Sequence, residues 1–203
     1  MKNICLAVNT ALEPFGYALI KDGRILVEIK EKSSRTFSET LLDKISEQCS
    51  LQDIQAIGVV SGPGSYTGIR IGVSYAKTLG LSLNCPVYAI QTLHALALHV
   101  KMSKQLFGVI APSKKGYCYL QLFNTPKGQN IEFVSDIVHA SLSELQTLLM
   151  HFQSPLMIYG QCEESFKKLF DSNSQYVFHE HHICSSVMGM WVLDNTRKKK
   201  KTK

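Results

Sequence analysis

The sequence lacks any apolar run near the roughly 18 residues that a membrane-spanning helix needs. The first apolar segment, ICLAV after Lys2, is too short to be the core of a secretory signal peptide. Six cysteines are spread through the 203 residues without the two-residue spacing typical of zinc sites and redox pairs. We therefore expect a cytoplasmic protein with no membrane association and with free thiols.

Most of the chain also lacks an excess of charge of either sign. It has 22 Lys and Arg against 16 Asp and Glu, and six of the basic residues lie between Arg197 and Lys203. A basic run is usually a solvated extension that can add affinity for RNA or an acidic partner. No aromatic residue is interleaved here to stack on bases. Residues 195–203 are expected to form a basic disordered tail.

Short apolar strands and amphipathic helices alternate along the rest of the chain. ICLAV, GYALI and RILVEIK predict three strands, followed by a helix over residues 34–49 whose apolar residues recur at spacings of three and four. A further strand at 54–60 leads into a glycine-rich segment and a long helix. From about Ser103 a second set of strands and helices begins. The pattern predicts two related α/β lobes, residues 1–102 and residues 103–194.

The segment SGPGSYTGIRIG, residues 61–72, joins the strand to the long helix. Gly62-Pro63-Gly64 predicts a sharp turn, and the hydroxyl of Ser65 or Thr67 can cap the helix. Unpaired amides at a helix N-terminus can instead bind a phosphate. The segment has neither the P-loop lysine nor the dinucleotide-binding spacing, so phosphate binding has only weak support.

The long helix carries glycines within an apolar stripe. Gly68 and Gly72 lie four residues apart, and each costs about 0.5 to 1 kcal/mol relative to alanine in a helix. Two glycines on one face indicate that a neighbouring backbone comes close. That neighbour belongs either to the same chain or to a second chain that docks on the helix. Arg70 would then anchor the interface or lie solvated at its rim.

The stretch SGPGSYTGIRIGVSYAKTLG closely resembles the signature of the TsaB (YeaZ) family, which reads Gly-Pro-Gly-Ser-Phe/Tyr-Thr-Gly-Leu/Ile/Val-Arg-Ile-Gly. SETL, at residues 38–41, stands where the family has His-Ser-Glu, and PVYAIQTLHALA is similar to the family's next strand and turn. The resemblance is firm to about residue 100 and weaker to about residue 170. It implies an α/β protein with the two-lobed actin-like ATPase fold (ASKHA, ribonuclease H-like).

The resemblance also implies a function. TsaB proteins pair with a similar catalytic subunit, TsaD, and with the ATPase TsaE the complex transfers a threonylcarbamoyl group to an adenosine of tRNA. For this chain it implies no catalytic, cofactor-binding or metal-binding residue, since ATP and metal are expected in the partner subunits. Contact with tRNA would be indirect, and a homodimer is an alternative. The implied partner interface consists of Ser38, Glu39, Leu42, Thr67, Gly68, Arg70, Ile71, Gly72 and Tyr75.

Several departures from the family remove polar groups. Asn9 stands where the actin-like fold has an aspartate after the first strand, so no carboxylate is available there to hold a metal. Phe37 replaces the family histidine, and APSKKGY, residues 111–117, replaces a stretch with two acids. Lysines replace the family's Pro-x-Tyr-Leu-Arg ending, so a shortened C-terminus is expected. These departures favour a divergent family member that binds a partner and performs no catalysis.

The alternative functions are a free-standing actin-fold ATP-binding enzyme and a peptidase-like protein. Ser65 lies at a strand-to-helix turn, but its surroundings are not Gly-x-Ser-x-Gly and no histidine can be assigned as its base. His179, His181, His182 and Cys184 match no established metal-site spacing. An exposed histidine run is favoured over a metal centre.

Overall fold

The chain forms two compact units. The computed structural model describes residues 3–32, 34–100, 105–126, 131–152 and 155–201, without the side chains of residues 34–38 and 199–201. The first unit comprises Met1–Ala95 and Ile183–Lys203, and the second comprises Leu96–His182. The boundary expected at residue 102 therefore lies a few residues earlier.

The first unit is built on a five-stranded sheet in the order β3-β2-β1-β4-β5. The strands are β1 (Ile4–Asn9), β2 (Phe15–Lys21), β3 (Arg24–Glu31), β4 (Ile54–Val60) and β5 (Val87–Ile90). β1 pairs antiparallel with β2 and parallel with β4, and β5 is parallel to β4. Because β1 is central and apolar, all of its residues are buried.

Three helices of this part of the chain are α1 (Ser34–Gln48), α2 (Tyr66–Leu83) and α3 (Thr92–Ala97). α1 and α2 share a core with the sheet, in which Leu41 and Ile45 of α1 and Ala76 of α2 meet Leu6 of β1. The helical periodicity of both segments is confirmed. Their apolar stripes fill the space on one face of the sheet.

The second unit repeats this topology. Its strands are β6 (Leu106–Pro112), β7 (Tyr117–Asn124), β8 (Glu132–Phe133), β9 (Val138–Ser141), β10 (Leu156–Gly160) and β11 (Tyr176–Glu180), and its helices are α4 (Leu142–Leu149) and α5 (Glu164–Asp171). The sheet order is β11-β10-β6-β7-β8, with β9 also pairing with β7. β6 pairs antiparallel with β7 and parallel with β10, as β1 does with β2 and β4.

The last helix, α6 (Ser185–Lys201), belongs to the first unit. Gly189 lies against Ile20 of β2, and Val192 lies against Gly58 of β4. The sequence-based placement of residues 183–194 in the second lobe is therefore wrong.

The prediction of a disordered tail from residue 195 is wrong as far as Lys201, where α6 ends. Arginine and lysine are good helix formers, and cations are favourable at a helix C-terminus. Residues 202 and 203 lie outside the described residues.

Candidate functional site

The turn between β4 and α2 is held at both ends by the backbone of the first unit. The carbonyl of Gly62 accepts a hydrogen bond from the amide of Thr92 at 2.8 Å, and the amide of Ser65 donates to the carbonyl of Ala11 at 2.9 Å. Gly62 has a φ of 107°, a conformation that favours glycine. The predicted sharp turn is therefore confirmed, and it fixes where α2 begins.

Ser65 is the N-cap of α2. Its hydroxyl oxygen accepts a hydrogen bond from the amide of Gly68 at 3.2 Å, which confirms one of the two predicted caps. The amides of Ser65 and Gly68 are therefore bonded within the chain. Two of the donors that a phosphate would use at this helix N-terminus are already occupied.

The two glycines at the start of α2, Gly68 and Gly72, face the chain's own loop after β1. A methyl group at Gly68 would overlap the carbonyl oxygen of Thr10, and one at Gly72 would overlap the Thr10 hydroxyl. Both glycines are buried. The close neighbour predicted from the glycine pair is thus Thr10. The predicted place of Gly68 and Gly72 in a partner interface is corrected accordingly.

Asn9 shapes the loop that carries Thr10. Its side-chain amide nitrogen donates to the carbonyls of Leu12 and Pro14, at 2.9 Å and 3.0 Å. Its side-chain oxygen accepts from the amide of Ala11 at 3.1 Å. The residue is buried, with 1% of its surface exposed. Both polar ends of the side chain hold the loop together, at the position where the sequence resemblance placed an aspartate in the actin-like fold.

The outer face of α2 carries a different set of side chains. Thr67, Arg70, Ile71 and Ser74 line a surface depression of ≈ 300 Å³. Tyr66 is 72% exposed, and its ring lies 5.4 Å from the guanidinium carbon of Arg70. This distance suits a cation–π contact. We call these five residues the outer face of α2.

The neighbouring helix α1 also presents predicted interface residues outward. Leu42 is 44% exposed and Glu39 is exposed, whereas Leu41 and Ile45 are buried in the core beneath. The side chain of Ser38 lies outside the described residues. Glu39 and Leu42 therefore lie on the solvent side of α1.

Tyr75 points into the core. Its hydroxyl is buried and has no hydrogen-bond partner among the described residues. Burial, followed by the neighbouring Tyr17 and Cys49, raises the pKa of the Tyr75 hydroxyl to about 12. The ring packs against the cluster that includes Ala76. The residue as a whole is half-buried, so the hydroxyl is closed to a partner while the place of Tyr75 in a partner interface stays a prediction.

The exposed part of the predicted interface is smaller than the sequence suggested. It consists of Glu39, Leu42, Thr67 and Arg70, beside which Ile71 is half-buried. Sequence reasoning missed Tyr66 and Ser74. Helical spacing could have found Ser74, because positions 67, 70, 71 and 74 share one face.

The histidine-rich segment does not gather around one point. His179 stacks on Tyr159 with ring centroids 5.0 Å apart, while the Cys184 thiol donates to Glu28 of β3 at 3.5 Å. Burial and the nearby histidines lower the pKa of His181 to about 4. Across the described ranges, no three His, Cys, Asp or Glu side chains are placed to hold a metal. The same part of the chain contains no helix long and apolar enough to cross a membrane.

Sequence comparisons identify related proteins. The family model described as TsaD, tRNA N6-adenosine threonylcarbamoyltransferase, matches residues 29–184. The tRNA threonylcarbamoyladenosine biosynthesis protein TsaB of Bacillus subtilis is 28% identical over 171 residues, which cover 82% of this chain and 74% of that protein. TsaB of Escherichia coli is 34% identical over 97 residues, covering 45% and 42% of the two chains.

Structural comparisons establish the fold. YeaZ from Pseudomonas aeruginosa superposes with a TM-score of 0.75 at 15% identity, covering 98% of this chain and 94% of that one. The ethanolamine utilization protein EutJ from Carboxydothermus hydrogenoformans gives a TM-score of 0.51 at 7% identity, covering 93% and 90%. The predicted actin-like ATPase fold is confirmed.

Proposed function

Because this chain belongs to the TsaB (YeaZ) family and the TsaD family model matches its residues 29–184, we propose that it works in tRNA threonylcarbamoyladenosine biosynthesis as a non-catalytic subunit. It pairs with a TsaD-type catalytic subunit through the outer face of α2 and the solvent side of α1. A TsaE-type ATPase and the tRNA join the resulting complex. ATP and metal are held by the partner subunits.

The observation that carries the pairing is the character of the outer face of α2. Tyr66 is 72% exposed and stands beside Arg70, and Ile71 lies next to them on the same face. Tyrosine and arginine are among the residues enriched at the centres of protein interfaces. The opposite side of the helix is already filled by Thr10 and the sheet, so a partner can reach α2 only from its solvent side, which includes the outer face.

The non-catalytic role is supported by the loop after β1. Both polar ends of the Asn9 side chain are used to hold the loop. An amide in this state offers no carboxylate to a metal and no base to a water molecule. The capped start of α2 leaves few amides for a phosphate. These contacts favour a chain that positions its partner over one that performs the chemistry.

Copurification with the TsaD-type subunit of the same organism tests the pairing. We expect wild type to associate and Ile71→Glu to weaken the complex by at least ~30-fold, because a charge would be buried at the centre of the interface. Leu148→Glu is the matched control, since Leu148 is a 40% exposed leucine on α4. It should pair normally. No association of wild type, or normal pairing of Ile71→Glu, would refute the proposed interface.

A free-standing ATP-binding enzyme is the alternative, and calorimetry separates the two. The proposal expects no heat of binding when ATP and Mg²⁺ are titrated into the isolated chain. Saturable binding would contradict the proposed absence of a nucleotide cofactor while leaving the pairing experiment valid.

A further inference from the structure

The excess positive charge of the chain begins at Arg197 and Lys198, near the end of α6. Six of its 22 basic residues lie between Arg197 and Lys203, and the remaining 16 equal the 16 acidic residues. α6 carries this segment as helix to Lys201, and the hydroxyl of Thr196 donates to that of Tyr88 at 3.1 Å. The side chains of Arg197 and Lys198 are exposed. We call Arg197–Lys201 the basic end of α6.

A cavity opens directly beside the basic end of α6. Its volume is ≈ 380 Å³, within the roughly 300 to 1,000 Å³ typical of small-molecule sites. Its polar lining includes Asn3, Asp22, Gln52, Gln55, Asn84 and Arg197. Leu83, Pro86 and Leu193 add apolar surface. All of these residues belong to the first unit.

The polar groups of the cavity suit the edge of a nucleobase. Within the described residues, the side-chain amides of Gln52, Gln55 and Asn84 make no hydrogen bond, so they can donate to and accept from a ligand. The Asp22 carboxylate accepts one bond from Asn3 at 3.3 Å and can accept more. Because a carboxylate only accepts, it favours a base that has an amino group.

We infer that the cavity and the basic end of α6 together bind single-stranded RNA, with phosphates at Arg197 and Lys198 and one amino-bearing base in the cavity. Unstacked bases read along their edges are the usual target of sequence-selective RNA binding. Asp22 disfavours an acidic peptide, whose carboxylates it would repel. The inference rests on the proposed function and deepens it, because it gives this chain its own contact with RNA.

Fluorescence anisotropy with labelled oligo(C) and oligo(U) tests the phosphate contacts on the full chain alone. Wild type should bind oligo(C) more tightly. Arg197→Gln/Lys198→Gln should weaken the binding of both oligonucleotides by about tenfold at low salt. It should also reduce the slope of log affinity against log salt concentration by about 1.4, as expected for two lost phosphate contacts. Lys114→Gln/Lys115→Gln removes the same charge from exposed lysines of the second unit and should have no effect. Equal weakening by this control would overturn the inference.

Asp22→Asn tests the cavity. Asp22 has a φ of 51°, which asparagine also tolerates, so the turn should be retained. An amide both donates and accepts, so the preference for oligo(C) over oligo(U) should disappear without loss of overall affinity. Polyphosphate, which has no bases, should compete poorly. No base preference in wild type, or full competition by polyphosphate, would refute the base site.

The two proposals can fail separately. Arg197→Gln/Lys198→Gln should still copurify with the TsaD-type subunit, because the outer face of α2 is unchanged. Normal pairing without any RNA binding by wild type would refute only the RNA site. RNA binding with the predicted base preference but no pairing would refute the proposed partner instead.

Discussion

α2 and α5 occupy corresponding places in the two units, since each follows the strand parallel to the first one, yet they expose different surfaces. α5 buries Phe166 and Phe170 and turns charged residues to solvent, where Lys167 pairs with Glu180 at 3.2 Å. α2 instead exposes Tyr66. Charged side chains are well hydrated in water, whereas an exposed aromatic side chain is stabilised when a partner buries its apolar surface. The difference supports the proposal that the partner surface lies on the first unit.

The inner sides of the two helical connections are alike. The amide of Ser65 donates to Ala11 at 2.9 Å, and the amide of Gln161 donates to Ile110 at 3.1 Å. A methyl group at Gly160 would overlap the Ile110 carbonyl, as one at Gly68 would overlap Thr10. In the first unit a glycine lets α2 pass close to the loop after β1, and in the second unit a glycine lets the end of β10 pass close to β6.

The largest loss of stability should come from replacing the glycines at these two close approaches by alanine. We expect Gly68→Ala to lower the free energy of unfolding by at least ~3 kcal/mol, because the backbone of Thr10 must shift. Gly160→Ala should cost a similar amount, since its φ of 136° adds strain. Urea unfolding measures both. Ser74→Ala, on the outer face, is the control and should change stability by less than ~0.5 kcal/mol.

Normal stability of Gly68→Ala would mean that the glycine face is not packed on Thr10. The partner interface would then have to be extended to Gly68 and Gly72. The same consideration rules out substitutions at Gly72 as tests of pairing, because they would disturb the fold first.

A smaller loss of stability is expected from a substitution in the loop after β1, against which α2 packs. Asn9→Asp should destabilise the chain by about 2 to 3 kcal/mol, because the carbonyls of Leu12 and Pro14 lose their donor and face a carboxylate. Burial favours the neutral form of the introduced carboxyl. The loss should therefore be greatest at neutral pH and shrink as the pH falls. Urea unfolding at several pH values measures it, and a pH-independent loss would contradict this account.

Local signals allowed the sequence to predict much of this site. Glycines and a proline mark the turn, and the Ser65 hydroxyl lies at the spacing of an N-cap, so both features depend on neighbouring residues only. The partner of the glycine pair could not be predicted in the same way. Thr10 and Gly72 are far apart in sequence, and only the fold brings them together.

The prediction of a disordered tail at the basic end of α6 was wrong for a related reason. Charge patterning predicts solvation, and the side chains of Arg197 and Lys198 are exposed, but both residues continue a helix that is anchored further back. Val192 is fully buried in the first unit, five residues before Arg197. Local sequence does not reveal such an anchor, because the burial depends on β1, β2 and β4, which lie at the other end of the chain.

The smallest expected effect separates the two tyrosines of α2. Tyr75→Phe should stabilise the chain by about 1 kcal/mol, because it removes a buried hydroxyl that has no partner among the described residues. Pairing should be unchanged. Tyr66→Ala should leave stability nearly unaltered and weaken pairing, because Tyr66 is 72% exposed. Thermal unfolding and copurification measure the two properties. Weaker pairing of Tyr75→Phe would show that Tyr75 contributes to the interface and would place the partner on the inner stripe of the helix.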